Sequence, residues 1–203
     1  MGKVAHVIGN GDSAVMYKPS KGFKITCNLP PFTVENVYTT CMVDFKMMAA
    51  IAEGSVTVPG EWVLGMRPKI WAEARPDFFM KYAKQIKEFY TVLPKYKHQS
   101  GAEINYTDFN CGHMATHYTA NRLKANEIHM YGFDSMFDFN LRSCSDLYLT
   151  SDRSPLNSNR LTNNWRAIWP QLFADFPDVQ FVLYHKHDAI KFPVSDNVEI
   201  RTK

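Results

Sequence analysis

The sequence predicts an α/β protein, a three-layer α/β/α sandwich around a mostly parallel, Rossmann-like sheet. Three observations carry that expectation. Short β-branched or apolar runs alternate with stretches of helical period, the runs end in turns of Gly, Asn or Asp, and those polar turns all follow the carboxyl ends of the runs. An open parallel sheet gathers its ligand crevice along that edge, near the point where the strand order reverses.

Val4 to Ile8 is the first strand, and its unbroken apolar character suits a central position. It runs into Gly9-Asn10-Gly11-Asp12-Ser13, a tight turn whose backbone N–H groups could approach phosphate; the same glycines could also serve only to turn a corner. Phe23 to Asn28 is the second strand, stopped by Pro30 and Pro31. Tyr38 to Val43 is the third, with Asp44 at its junction with a helix over Phe45 to Glu53 that Gly54 closes. Glu61 to Gly65 makes a fourth strand. After it, Asp77 caps an expected helix in which Phe78, Tyr82, Ile86 and Phe89 or Tyr90 share one face, a stripe that reads as core.

Lys95 to Gly101 reads as an exposed loop, followed by a strand-like run from Ile104 to Phe109. Asn110-Cys111-Gly112-His113 then opens a helix from about Met114 to Lys124, a second place where free N–H groups could meet an anion. Glu127 to Tyr131 is a strand ending in Gly132-Phe133-Asp134. Residues 139–159 are rich in Ser, Asp, Asn and Arg without periodicity and read as a lid. A helix near Leu161 to Ala174 and a strand from Val179 to Tyr184 finish the predicted fold.

With 203 residues, 45% of them apolar, the chain can bury one core, and a single domain over 1–203 is expected. No apolar run reaches membrane-spanning length and the first residues lack a signal-peptide pattern, so a cytoplasmic protein is expected. Cys27, Cys41, Cys111 and Cys144 form no Cys-x-x-Cys pair and read as buried thiols. The net charge of +3 comes from scattered Lys and Arg, which argues against a nucleic-acid partner and suits a small phosphate-bearing ligand. Oligomeric state is open.

The order of these motifs resembles that of bacterial sialyltransferases that modify lipooligosaccharide, together with related Rossmann-like proteins that include pterin pyrophosphokinases. Val7 to Ser13 is similar to the family's opening strand and Gly-Asn-Gly-Pro-Ser turn, with Asp12 in place of proline. Cys27-Asn28 is similar to the end of its second strand, and Asp44 stands where Asn or Asp follows the third. Asn110 to Ala115 is similar to its Thr-Ser-Gly turn and helix, and Glu127 to Asp134 to its Glu-Ile-Tyr-Leu-Ser-Gly-Ile-Asp strand. The matches span about two thirds of the chain. The resemblance implies that Gly9, Asn10, Gly11, Ser13, Asn28 and Gly112 line a nucleotide cleft, with Asp44 and Asp134 as nearby polar contacts. The chain departs from the family where a general-base histidine precedes the last helix, since Asp152 to Trp165 contains none, and of the paired lid tyrosines only Tyr148 is present.

Candidate chemistry follows from residue type and place. His113 opens a helix at the crevice, where an imidazole could act as acid or base; with Asp134 it forms the expected catalytic pair. His113 and His117 are four apart, and packed histidines are the favoured reading over a metal pair. His185 or His187 could fold back over the sheet edge as a base. Asp12, Asn110 and Cys111 join the nucleotide-binding set, and Arg142, Arg153 and Arg160 could clamp phosphate from the lid. The expected function is a nucleotide-sugar-dependent glycosyltransferase that requires no cofactor or metal, with a cytidine monophosphate sugar as possible donor. A binding protein without catalysis is the alternative, and a pterin-type pyrophosphokinase, which would need a divalent cation near Asp44 and Asp134, comes after it.

Overall fold

The structure, a computed structural model, describes residues 2–151 and 154–202. Eight strands form one sheet in the order β5-β4-β3-β2-β1-β6-β7-β8, every neighbouring pair parallel. The strands are β1 (Val4–Ile8), β2 (Phe23–Cys27), β3 (Val37–Met42), β4 (Trp62–Leu64), β5 (Ile86–Phe89), β6 (Glu127–Tyr131), β7 (Gln180–Tyr184) and β8 (Val198–Arg201). The helices are α1 (Phe45–Glu53), α2 (Met66–Glu73), α3 (Pro76–Tyr82), α4 (Cys111–Asn121) and α5 (Pro155–Asp175). The chain therefore has the α/β, Rossmann-like architecture that its alternating runs predict. Strand order reverses between β1 and β6, which places the switch point at the centre of the sheet.

Alternate residues of each strand face opposite layers. Ala5 and Val7, Ile25, Ile128 and Met130, and Phe181 and Leu183 pack beneath α4 and α5 with Met114, Trp169 and Phe173. On the other face Met42, Trp62 and Leu64 pack against Met47, Met48 and Ile51 of α1, Ala72 of α2 and Phe78 of α3. Ile8 and Tyr131 are covered there by Ala14, Met16 and Tyr17 of the 3-10 turn Asp12–Met16 and its exit. Among the described residues no helix is long and apolar enough to cross a membrane.

The first four strands, the sixth and the seventh stand where the sequence places them, and Asp44 caps α1 by accepting from the Lys46 amide at 3.2 Å. Elsewhere the structure corrects the sequence. The helix expected from Asp77 to Tyr90 ends at Tyr82, its cap residue is Arg75, and Ile86–Phe89 adds an edge strand beside β4. The apolar spacing of this segment suits a helix, and pairing with β4 overrides it. Helix α2 escapes a periodicity reading because only Pro68 and Ala72 are buried on it; Pro68 is tolerated since it falls in the first turn. The run from Ile104 to Phe109 contains a 3-10 turn, Tyr106–Asp108, capped by Asn105, and no strand. Tyr96, in the loop expected to be exposed, is buried and donates to Asp175 Oδ2 at 2.7 Å. Helix α5 starts at Pro155, so the end of the expected lid is helical, and β8 adds a strand beyond β7.

Candidate active site

A cleft of about 370 Å³ opens at the carboxyl edge over β1, β2, β3 and β6. It lies at the switch in strand order, and its size suits one small organic ligand. Gly9, Asn10, Gly11, Asn28, Asp44, Asn110, Cys111, Gly112, Asp134 and Arg142 all line it. The turns after four different strands thus converge as their positions in the sequence imply.

The first glycine turn is held rigidly by its neighbour. The Gly9 amide donates to the Tyr131 carbonyl at 2.7 Å and the Gly11 amide to the Gly132 carbonyl at 2.9 Å. Asp134 Oδ2 accepts from the Ser13 amide at 2.9 Å, and Asp134 Oδ1 accepts from the Ser13 hydroxyl. A Cβ on Gly11 would overlap the Asp134 carboxylate, so the two turns interlock only because this residue has no side chain. Asn10 extends the lock: its Nδ2 donates to the Leu29 carbonyl at 2.6 Å, and its own carbonyl accepts from the Cys144 amide of the lid at 2.8 Å. Much of the turn's donor capacity is therefore used within the protein, which corrects the expectation of an amide cradle for phosphate here.

The start of α4 behaves differently. Asn110 caps the helix by accepting from the His113 amide at 3.0 Å, while the first-turn amides of Cys111 and Gly112 have no intrahelical acceptor and belong to residues that line the cleft. A Cβ on Gly112 would overlap the Phe133 ring, so glycine lets the helix end approach the cleft wall. Cys111 turns its thiol away, donating to the Cys41 carbonyl at 2.8 Å.

Three cations line the same cleft. Arg142 reaches in from the lid, 3.5 Å from Asp12 Oδ2, and Lys46 and Arg67 come from the first turns of α1 and α2. Arg67 Nε donates to the Val43 carbonyl at 3.0 Å, which fixes the guanidinium stem, and Lys46 Nζ donates to the Thr150 carbonyl at 2.7 Å. Asn28 adopts a left-handed backbone with φ 53°, and its Oδ1 is buried without a hydrogen-bond partner among the described residues. An unmet acceptor costs about 1–3 kcal/mol, so a ligand N–H or O–H reaching it would recover that loss.

His113 does not meet the cleft. It is fully buried; Nδ1 accepts from the Asn110 amide at 3.0 Å and Nε2 donates to the Trp165 carbonyl at 3.1 Å. Nδ1 thus closes the cap at the start of α4 while Nε2 fastens α4 to α5, and burial pulls the imidazole down to about 3. The acid–base role expected of it is replaced by a structural one. Asp134 does line the cleft, but both its oxygens accept from Ser13. Asp12, Ser13 and Arg160 do not line the cleft, and Arg160 lies on α5, where Nη2 donates to Asn157 Oδ1 at 3.0 Å. Arg153 lies outside the described residues.

Tyr148 packs against the second turn, its hydroxyl within hydrogen-bond reach of the Leu29 amide and carbonyl, and burial raises its pKa. His117 is packed as expected, Nδ1 at 2.7 Å from the Tyr90 hydroxyl. His187 does fold back over the edge, between Asp12 Oδ2 at 3.5 Å, Asp134 Oδ1 at 3.6 Å and Asp138 Oδ2 at 3.7 Å, behind the residues that line the cleft. Among the described residues no three His, Cys, Asp or Glu side chains gather to hold a metal ion.

Sequence reasoning missed Lys46, Arg67, Phe109 and Trp165, which also line the cleft. Lys46 stands two residues past Asp44 and was within reach of the same junction argument. Arg67 arrives with α2, which has no apolar stripe to announce it. No protein-family model, curated protein or solved structure matches the chain.

Proposed function

We propose that the chain binds a nucleotide sugar at the carboxyl edge of its sheet and transfers the sugar to an acceptor hydroxyl, as the sialyltransferases that its turns resemble do. The observation that carries this reading is the start of α4. The Cys111 and Gly112 amides, in a cleft that Arg67 and Arg142 also line, offer donors and positive charge to a phosphate. Asn28, which lines the same cleft, places an amide side chain near a base or sugar group. A cytidine monophosphate sugar fits this combination.

In the transfer, the acceptor oxygen bonds to the anomeric carbon while the bond from that carbon to the phosphate oxygen breaks, and the phosphate keeps the electron pair. Helix amides and guanidinium groups stabilise the charge that develops on the leaving phosphate. The acceptor proton passes to a carboxylate. Asp44 takes this role, because it lines the cleft and both Asp134 oxygens already accept from Ser13.

The locked state of His113 favours one further reading, a nucleotide- or sugar-phosphate-binding protein without turnover. Two measurements separate the readings. Melting of the purified protein with cytidine monophosphate or its sialic acid conjugate should show a metal-independent rise that Arg67→Ala removes. Release of cytidine monophosphate from the conjugate should then be lost in Asp44→Asn, whose amide still caps α1, while the melting shift remains. A shift without release in the unaltered protein favours the binding reading. A shift only with a triphosphate and magnesium, or none, overturns the nucleotide-sugar assignment.

A further inference from the structure

Strands β1, β6 and β7 carry a second cavity on the sheet face turned away from α4 and α5. Where β1, β6 and β7 face α4 and α5 they present aliphatic and phenyl side chains; the alternate positions present His6, His129, Tyr131 and Tyr184. No α-helix among those described packs over these four residues, and only the 3-10 turn Asp12–Met16 with Tyr17 at its exit reaches over His6 and Tyr131, although both faces of a parallel sheet are normally covered. A cavity of about 660 Å³ stands there instead.

Its floor is built and internally satisfied. His6 and His129 stack at 5.0 Å and 19°, and Tyr131 and Tyr184 at 4.5 Å and 18°. His6 Nε2 donates to the Lys21 carbonyl at 2.9 Å, His129 Nε2 meets Glu127 Oε1 at 2.7 Å, and Arg201 Nη1 donates to the Tyr184 hydroxyl at 2.8 Å. The rim adds Lys18, Lys21 and Lys186, exposed side chains whose ammonium groups pair with no carboxylate among the described residues. An aromatic floor under three cations is complementary to a flat ring that bears negative charge.

We propose that this cavity is a second binding site, for a small aromatic anion: a planar ring carrying a carboxylate, sulfonate or phosphate. It shares no lining residue with the carboxyl-edge cleft, so it stands or falls independently of the nucleotide reading. Lysine rather than arginine on the rim suits a point contact with the anionic group while the ring settles below.

The test uses the full chain and the fluorescent probe anilinonaphthalene sulfonate, itself a planar aromatic anion. The expected result is one saturable site per chain, weakened by added salt and by about tenfold in the Lys21→Glu, Lys186→Glu double variant. Each single reversal should weaken it by a smaller factor, and Arg67→Ala, in the other cleft, should leave it unchanged. The lysines are exposed, so melting temperature should hold and report an intact fold. Non-saturating binding, binding indifferent to lysine reversal in a variant that melts normally, or binding lost in Arg67→Ala would each overturn the proposal.

Discussion

Two glycine turns border the same cleft, and they do opposite work. In the turn after β1 the amides of Gly9, Gly11 and Ser13 are all satisfied by the β6 turn, through two carbonyls and the Asp134 carboxylate. At the start of α4, Asn110 satisfies the His113 amide and leaves those of Cys111 and Gly112, two residues that line the cleft, without an intrahelical acceptor. Glycine is required in both for close approach, of Gly11 to Asp134 and of Gly112 to Phe133. A glycine turn after a strand is thus a statement about steric room. Whether that room serves a ligand or a neighbouring turn depends on which acceptors stand opposite.

The largest expected effect comes from unlocking the first turn. Asp134→Ala strips the acceptor from the Ser13 amide and hydroxyl in a buried setting and should cost about 3 kcal/mol in denaturant unfolding. A variant that unfolds like the parent would break the comparison at its first term. Gly112→Ala should cost about 1–3 kcal/mol by overpacking against Phe133 and should also weaken ligand binding, since the helix end must withdraw. Loss of stability with full affinity would detach the α4 amides from the ligand.

His113 sharpens the comparison through pH. Its neutral form is the one the fold accepts, with the folded value near 3 against an ordinary value of 6.5. Its contribution is complete above about 6.5 and is lost as pH falls from there toward 3, by up to about 1.4 kcal/mol per unit in that window. His6, His117 and His185 are pulled down in the same direction by burial and add to the slope. Replacing His113 with Gln should flatten the acid limb measured by denaturant unfolding; an unchanged limb would contradict the structural role. The smallest effect on stability belongs to Arg67→Ala, within about 0.5 kcal/mol, although ligand affinity should fall about tenfold.

Much of this was legible in the sequence. The apolar runs of β1, β2 and β6 needed only period and composition, and Asp44 announced the start of α1 by type and place. Helix α2 and strand β5 were hidden because one has no apolar stripe and the other carries helix-like spacing. The cleft's membership could be read from turns that follow strands, but their division of labour could not. The partner of the Ser13 amide is 121 positions away, and only the strand order brings it near. His113 was misread for a local reason: at the third helical position it returns a hydrogen bond to the Asn110 amide, a task usually given to Glu or Gln.

The most direct test follows backbone amide resonances of labelled protein during a titration with cytidine monophosphate. The account predicts that the Cys111 and Gly112 amides shift strongly and saturably while those of Gly9 and Gly11, already bonded within the protein, move little. Large shifts at Gly9 and Gly11 with Cys111 and Gly112 unmoved would contradict it.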